Sequence, residues 1–143
     1  MARIYLASSW RNPYQPALIQ GLRDRGHQVY DFRNPPNSSG FQWRDIGLDA
    51  KNCSAVEYRN ALLTHPRAAQ GFNADFAAMR WANVGLLVLP CGRSAHLELG
   101  WMAGAGKRTL ILTQDGEEPE LMALLADKIC ISVGEVFSEL EGE

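Results

Sequence analysis

The sequence predicts an α/β fold, a doubly wound parallel sheet with helices on both faces. Three observations predict it. The runs "RIYLAS", "VGLLVLP" and "TLILT" are short and almost wholly apolar. Runs of that kind suit strands covered on both faces, as parallel sheets require. Between them lie stretches whose apolar residues recur at helical spacing. The chain also opens with strand, helix and strand in close succession. That is a βαβ unit, whose crossover is right-handed.

Each element follows in order. "RIYLAS" is the first strand, and "NPYQPALIQGLRDRGHQVYDF" reads as loop, helix, turn and second strand. Pro13 or Pro16 sits in the first helical turn, and Gly26 ends the helix. Residues 33–54 break the rhythm: they are rich in Pro, Ser, Asn and Gly, yet carry Phe41 and Trp43. Long loops inside compact domains are usually functional or disordered. The two aromatics either pin this loop to the body or pack over a ligand.

"AVEYRNALLT" and "RAAQGFNADFAAMRWAN" read as helices separated by His65-Pro66, with Gly71 breaking the second and Asn73 starting a new segment. "VGLLVLP" is the third strand, "SAHLELGWMAGAGK" its helix and "TLILT" the fourth strand. "EPELMALLADK" reads as a short amphipathic helix, "ICIS" as the last strand and "VGEVFSELEGE" as the terminal helix. The expected architecture is a flavodoxin-like sheet of five strands, order 2-1-3-4-5, in a single domain over residues 1–143. Its ligand crevice lies beyond the carboxyl ends of strands 1 and 3.

Composition narrows the function. Hydrophobic residues make up 46% and charged residues 21%, a globular balance, and the net charge is −2. Nothing in that balance calls for a nucleic acid polymer, which needs a basic face. A small anion can still be held by a few arginines. No stretch has the length of a membrane span and no signal pattern opens the chain, so a cytoplasmic protein is expected. Cys53, Cys91 and Cys130 lack metal-ligand spacing, so neither a zinc site nor a disulfide framework is expected. No metal and no organic cofactor are implied.

Two segments should meet at the crevice, "ASSWRN" after strand 1 and "PCGRSAHLE" after strand 3. With Ser94 as N-cap, Glu98 falls at about the fourth helical position, leaning toward the crevice. A glutamate there could serve only the helix dipole. Its neighbours Leu97, Leu99, Trp101 and Met102 argue for more, because a carboxylate among apolar groups is costly unless used or paired. Gly100, Gly104 and Gly106 weaken the same helix, which makes sense if backbone or ligand approaches closely. His96 reads as a satisfied or surface residue, Trp101 as core or subunit contact, and Lys107 as a cation at the helix's C-terminus.

"IYLASSWRN", "FNADFAAMRWANVGLLVLP" and "GRSAHLELGWMAGAGKRTLIL" together resemble the nucleoside 2-deoxyribosyltransferase family, including its nucleoside 5′-monophosphate N-glycosidases. The resemblance covers roughly residues 3–113 and is weak over 33–65. It implies cleavage or transfer at an N-glycosidic bond through a covalent glycosyl-enzyme. On that resemblance Glu98 is the nucleophile, Asp75 assists protonation of the departing base, and Tyr5 orients the nucleophile. A carboxylate nucleophile suits an oxocarbenium-like transition state. The resemblance also implies a homo-oligomer, a dimer or larger.

One departure concerns the base. Many transferases of the family carry an aspartate where this chain has Gly92, so base recognition does not carry over. Another concerns phosphate. Ser8, Ser9, Trp10 and Arg11 follow strand 1, and Arg93 and Ser94 open the facing helix. Hydroxyls, arginines and a helix N-terminus suit a 5′-phosphate. Phe41 and Trp43 are the candidates for stacking on a base. The competing class is a non-catalytic nucleotide-binding module of the same fold. A flavin or dinucleotide protein is disfavoured because no GxGxxG follows strand 1.

Overall fold

A computed structural model describes residues 1–142. Its sheet has five parallel strands in the order β2-β1-β3-β4-β5. They are β1 (Arg3–Ala7), β2 (Gln28–Tyr30), β3 (Val84–Val88), β4 (Arg108–Leu112) and β5 (Lys128–Cys130). The helices are α1 (Gln15–Asp24), α2 (Ala55–Thr64), α3 (Pro66–Trp81), α4 (Arg93–Gly104) and α5 (Val133–Leu140). The expected fold class and strand order are both present. By internal contacts the chain separates into two compact units. One is Met1–Asp31 with the chain from Met79 onward; the other is Phe32–Ala78.

The first unit holds the whole sheet. Alternate residues of its strands, Ile4 and Leu6, Val84, Leu86 and Val88, Leu110 and Leu112, join one buried cluster. Leu18, Ile19 and Leu22 of α1, Val136 and Leu140 of α5, and Ala2, Val29 and Cys130 complete it. Because strand side chains alternate, Tyr5, Gly85, Leu87, Thr109 and Ile111 point the other way. There α4 packs on β1, β3 and β4. Pro16 lies in the first turn of α1, and Gly26 follows its end at φ +89°, a left-handed position that glycine takes freely.

Three local expectations are corrected. Gly71 does not break α3, which runs unbroken from Pro66 to Trp81. The glycine is there because Phe41 packs on it: an added Cβ would lie 2.9 Å from the Phe41 Cβ. "EPELMALLADK" forms only a 3-10 helix over Leu121–Leu125, leaving Leu121, Met122, Leu124 and Leu125 exposed. A segment so short gains too little to hold an α-helix without a buried face. Gly100 and Gly104 show no close approach either, since a Cβ on either would meet nothing within 4 Å.

In the second unit, α2 opens on a reciprocal cap. Glu57 N–H donates to the Ser54 hydroxyl at 3.1 Å, and Ser54 N–H donates to Glu57 Oε1 at 3.1 Å. The Ser54 N–H, and then the Ser54 hydroxyl, hold the Glu57 carboxyl below its ordinary range.

Candidate functional site

Two loops meet at the carboxyl ends of β1 and β3, and a buried asparagine ties them. Asn12 Nδ2 donates to the carbonyls of Val88 at 3.2 Å and Pro90 at 3.1 Å. Its Oδ1 accepts the Tyr14 N–H at 2.7 Å. Ser8 Oγ also donates to the Val88 carbonyl, at 2.9 Å. The Leu89–Pro90 peptide between these anchors is cis. The segment bearing Ser8, Ser9, Trp10 and Arg11 is therefore held beside the one leading into α4. The Ser9 hydroxyl accepts the Arg11 N–H at 3.2 Å. Trp10 and Arg11 are exposed.

The start of α4 corrects the expected cap. The N-cap is Gly92, without a side-chain cap bond, and Arg93 and Ser94 are the first helical residues. Glu98 is thus the sixth residue of α4 and lies in its second turn. The dipole effect fades beyond the first turn, so it no longer accounts for this carboxylate. Tyr5 does. Its hydroxyl donates to Glu98 Oε2, joining β1 to α4 across the sheet face. Tyr5 is buried and Glu98 half-buried.

Gly85 makes that bond reachable. It pairs in register with Tyr5, and Leu99 and Met102 of α4 pack directly over it. A side chain at this point of β3 would hold the helix, and Glu98 with it, farther from the sheet. On the other flank of Tyr5, the ring of Tyr30 stacks at 5.5 Å between centroids and 12° between planes.

Other candidates have local partners. His96 Nδ1 lies 2.9 Å from the Gly92 carbonyl and 3.8 Å from Cys91 Sγ. Burial, then Glu117 and Glu98, push the Cys91 thiol up from its ordinary 9.0 to about 12. Lys107 serves a helix end, but that of α3: its ammonium donates to the carbonyls of Arg80, at 2.9 Å, and Ala82. A groove of about 1000 Å³ runs between α4 and the chain following β4. Arg11, Arg93 and His96 line it, whereas Glu98 and Tyr5 are not among its lining residues.

Asp75, Phe41 and Trp43 belong to the second unit. Asp75 is half-buried on α3. Phe41 meets Trp43 edge-on at 5.2 Å, Trp43 meets Tyr58 at 5.9 Å, and the Arg67 guanidinium lies 5.5 Å from the Phe41 ring. These are contacts a pinned loop would have. Sequence reasoning missed Asn12, Tyr30 and Gly85. Asn12 sat inside a quoted segment, but only the fold shows that its amide closes on β3. Among the described residues, no group of three or more His, Cys, Asp or Glu is placed to hold a metal ion. No helix among them is long and apolar enough to cross a membrane.

Comparison with solved structures finds the same fold in several of them. The chain is similar to a 2-deoxyribosyltransferase from Bacillus psychrosaccharolyticus, with a TM-score of 0.61 and 23% identity over 93% of this chain and 88% of that one. It is similar to the CMP N-glycosidase BcmB of Clostridium botulinum, with a TM-score of 0.56 and 15% identity over 96% of each chain. A conserved protein from Enterococcus faecalis V583 gives a TM-score of 0.60 and 16% identity over 97% of this chain and 96% of that one. No family model matches the chain, and no curated protein matches it significantly. At these identities the likeness shows a shared fold.

Proposed function

We propose that the protein is an enzyme that cleaves or transfers at the N-glycosidic bond of a nucleoside, deoxynucleoside or nucleoside 5′-monophosphate. The observation that carries this reading is the Tyr5 hydroxyl of β1 donating to Glu98 Oε2 of α4. A carboxylate held in one orientation by a buried donor suits nucleophilic attack on a sugar carbon. The fold, shared with a 2-deoxyribosyltransferase and a CMP N-glycosidase, supports the same reading.

In this mechanism a Glu98 carboxylate oxygen bonds to the anomeric carbon as the N-glycosidic bond breaks. The base leaves with the bonding electron pair and takes up a proton, the role the resemblance gives to Asp75. Water or a second base then attacks the same carbon and releases Glu98. Tyr5 keeps the carboxylate aimed throughout. The hydroxyls and arginine of Ser8–Arg11, with Arg93 and Ser94 at the start of α4, favour a substrate carrying a 5′-phosphate, because arginines and a helix N-terminus suit that anion. The whole chain acts as one domain and assembles as a homo-oligomer.

The test is base release, followed by chromatography. Purified protein is incubated with deoxynucleosides and their 5′-monophosphates, with and without a second free base, with Glu98→Ala as control. Release from monophosphates alone is expected, and Glu98→Ala should abolish it. Exchange only with a second base present would identify a transferase and remove the phosphate assignment. Ligand binding without any release would identify a non-catalytic nucleotide-binding module.

A further inference from the structure

We propose that Tyr30 is a positioning residue, whose ring holds Tyr5 so that the Tyr5 hydroxyl stays on Glu98. The role rests on the glycosyl-transfer reading, but its geometry does not.

The argument starts from the strand register. Tyr5 lies on β1 between β2 and β3. Its partner on β3 is Gly85, which offers no side chain, and its partner on β2 is Tyr30. Neighbouring parallel strands lie about 4.8 Å apart, so partner side chains run side by side. The two rings are close to parallel, 12° between planes, with centroids 5.5 Å apart. That is the offset stack aromatic pairs prefer.

A tyrosine hydroxyl sits at the far end of its side chain, so a small rotation about χ1 moves it a long way. Over Gly85 the space is filled by Leu99 and Met102 of α4, and on the opposite flank Tyr30 is the strand neighbour whose ring resists such a swing. Tyr30 is itself 9% exposed and fixed in the sheet. The chain of support is therefore Tyr30 to Tyr5 by stacking, and Tyr5 to Glu98 by hydrogen bond. Tyr30 touches neither the reacting atoms nor the sugar in this scheme. It acts through the direction of one O–H.

The experiment compares Tyr30→Phe, which keeps the aromatic ring, with Tyr30→Met, which fills space without a flat face. Tyr30→Ile, suited to a strand, replaces Tyr30→Met if that variant does not fold. Tyr30→Phe, which keeps the ring against Tyr5, should retain turnover well above that of Tyr30→Met. Tyr30→Met should lower kcat by about tenfold to a hundredfold, the usual cost of misplacing a reacting group, and leave KM unchanged. In a Tyr5→Phe background, which lacks the hydroxyl, Tyr30→Met should have no further effect on kcat. Equal losses in both backgrounds would overturn the proposal, because they would make Tyr30 a general packing residue. So would full kcat in Tyr30→Met. Crystal structures of the two variants supply the second measurement. The Tyr5 hydroxyl should leave Glu98 Oε2 in Tyr30→Met and remain there in Tyr30→Phe. Its remaining in Tyr30→Met overturns the positioning role, whatever the activity. Absence of base release from the wild type, by contrast, counts against the glycosyl-transfer reading alone.

Discussion

Replacing Gly85 with alanine adds one methyl group at the point where α4 comes closest to β3. That methyl would lie 2.9 Å from Met102 Sδ, 3.2 Å from Leu99 Cδ1 and 3.2 Å from Met102 Cε. Comfortable contact begins near ~3.5 Å, so these atoms must retreat by several tenths of an ångström. Met102 is 0% exposed and Leu99 7%, which leaves little room for it. Overpacking of this kind costs about 1–3 kcal/mol. Alanine in a strand recovers about 0.5–1 kcal/mol over glycine. The net expectation lies between about zero and 2.5 kcal/mol, with a middle value of about 1.2 kcal/mol, which for a chain of 143 residues is a fall in Tm of about 4 °C. Calorimetry measures the first part. Base release measures the second: lifting Leu99 also lifts its neighbour Glu98 away from Tyr5, so turnover should fall even well below the new Tm. A Tm equal to or above wild type would refute the packing argument. A lowered Tm with full turnover would show that this approach of α4 does not seat Glu98.

Other outcomes are expected. With its thiol held near 12, Cys91 should resist iodoacetamide at pH 8 in the folded protein and react when unfolded, as peptide mass spectrometry would show. The sign for stability follows: above pH 9 the unfolded chain releases this proton and the folded one keeps it, so stability falls as pH rises from 9 toward 12. Equal alkylation of both states would contradict it. Lys107→Met should lower stability by about 1–3 kcal/mol through loss of charge-assisted bonds to the end of α3, and leave KM unchanged. A raised KM would place Lys107 on the ligand instead. Light scattering at micromolar concentration should find a dimer or larger, and a strict monomer would remove the oligomer from the proposed function.

The sheet was legible because its signals are local. β1, β3 and β4 are apolar runs, and a strand buried on both faces needs nothing else to announce it. Gly26 likewise marked the end of α1 by a conformational need of its own. The misreadings came from contacts between distant residues. Ser94 looked like the N-cap because serine favours that place, but α4 starts at Arg93 and uses no side-chain cap. Gly71 looked like a helix breaker because its partner, Phe41, lies far off in the chain. Lys107 was read against its own helix, whereas its ammonium reaches carbonyls at the end of α3. Glu98 and Tyr5 could be nominated from sequence. Tyr30 and Gly85 could not, because their importance is a matter of register, and register appears only once the strands are paired.

The same geometry separates a working carboxylate from a structural one. If Glu98 only braced α4 against β1, its amide analogue would serve as well: the carbonyl oxygen of Glu98→Gln can still accept the Tyr5 hydroxyl, and no charge is then held beside buried residues. Proteins commonly give up stability at groups kept for activity, and removing such a group often restores it. Glu98→Gln should therefore fold with a Tm equal to or above wild type. It should still lose base release by about a thousandfold or more, the scale of removing a nucleophile. A large fall in Tm would make the carboxylate structural. Full turnover with an amide at this position would exclude attack by Glu98, whatever the fold suggests.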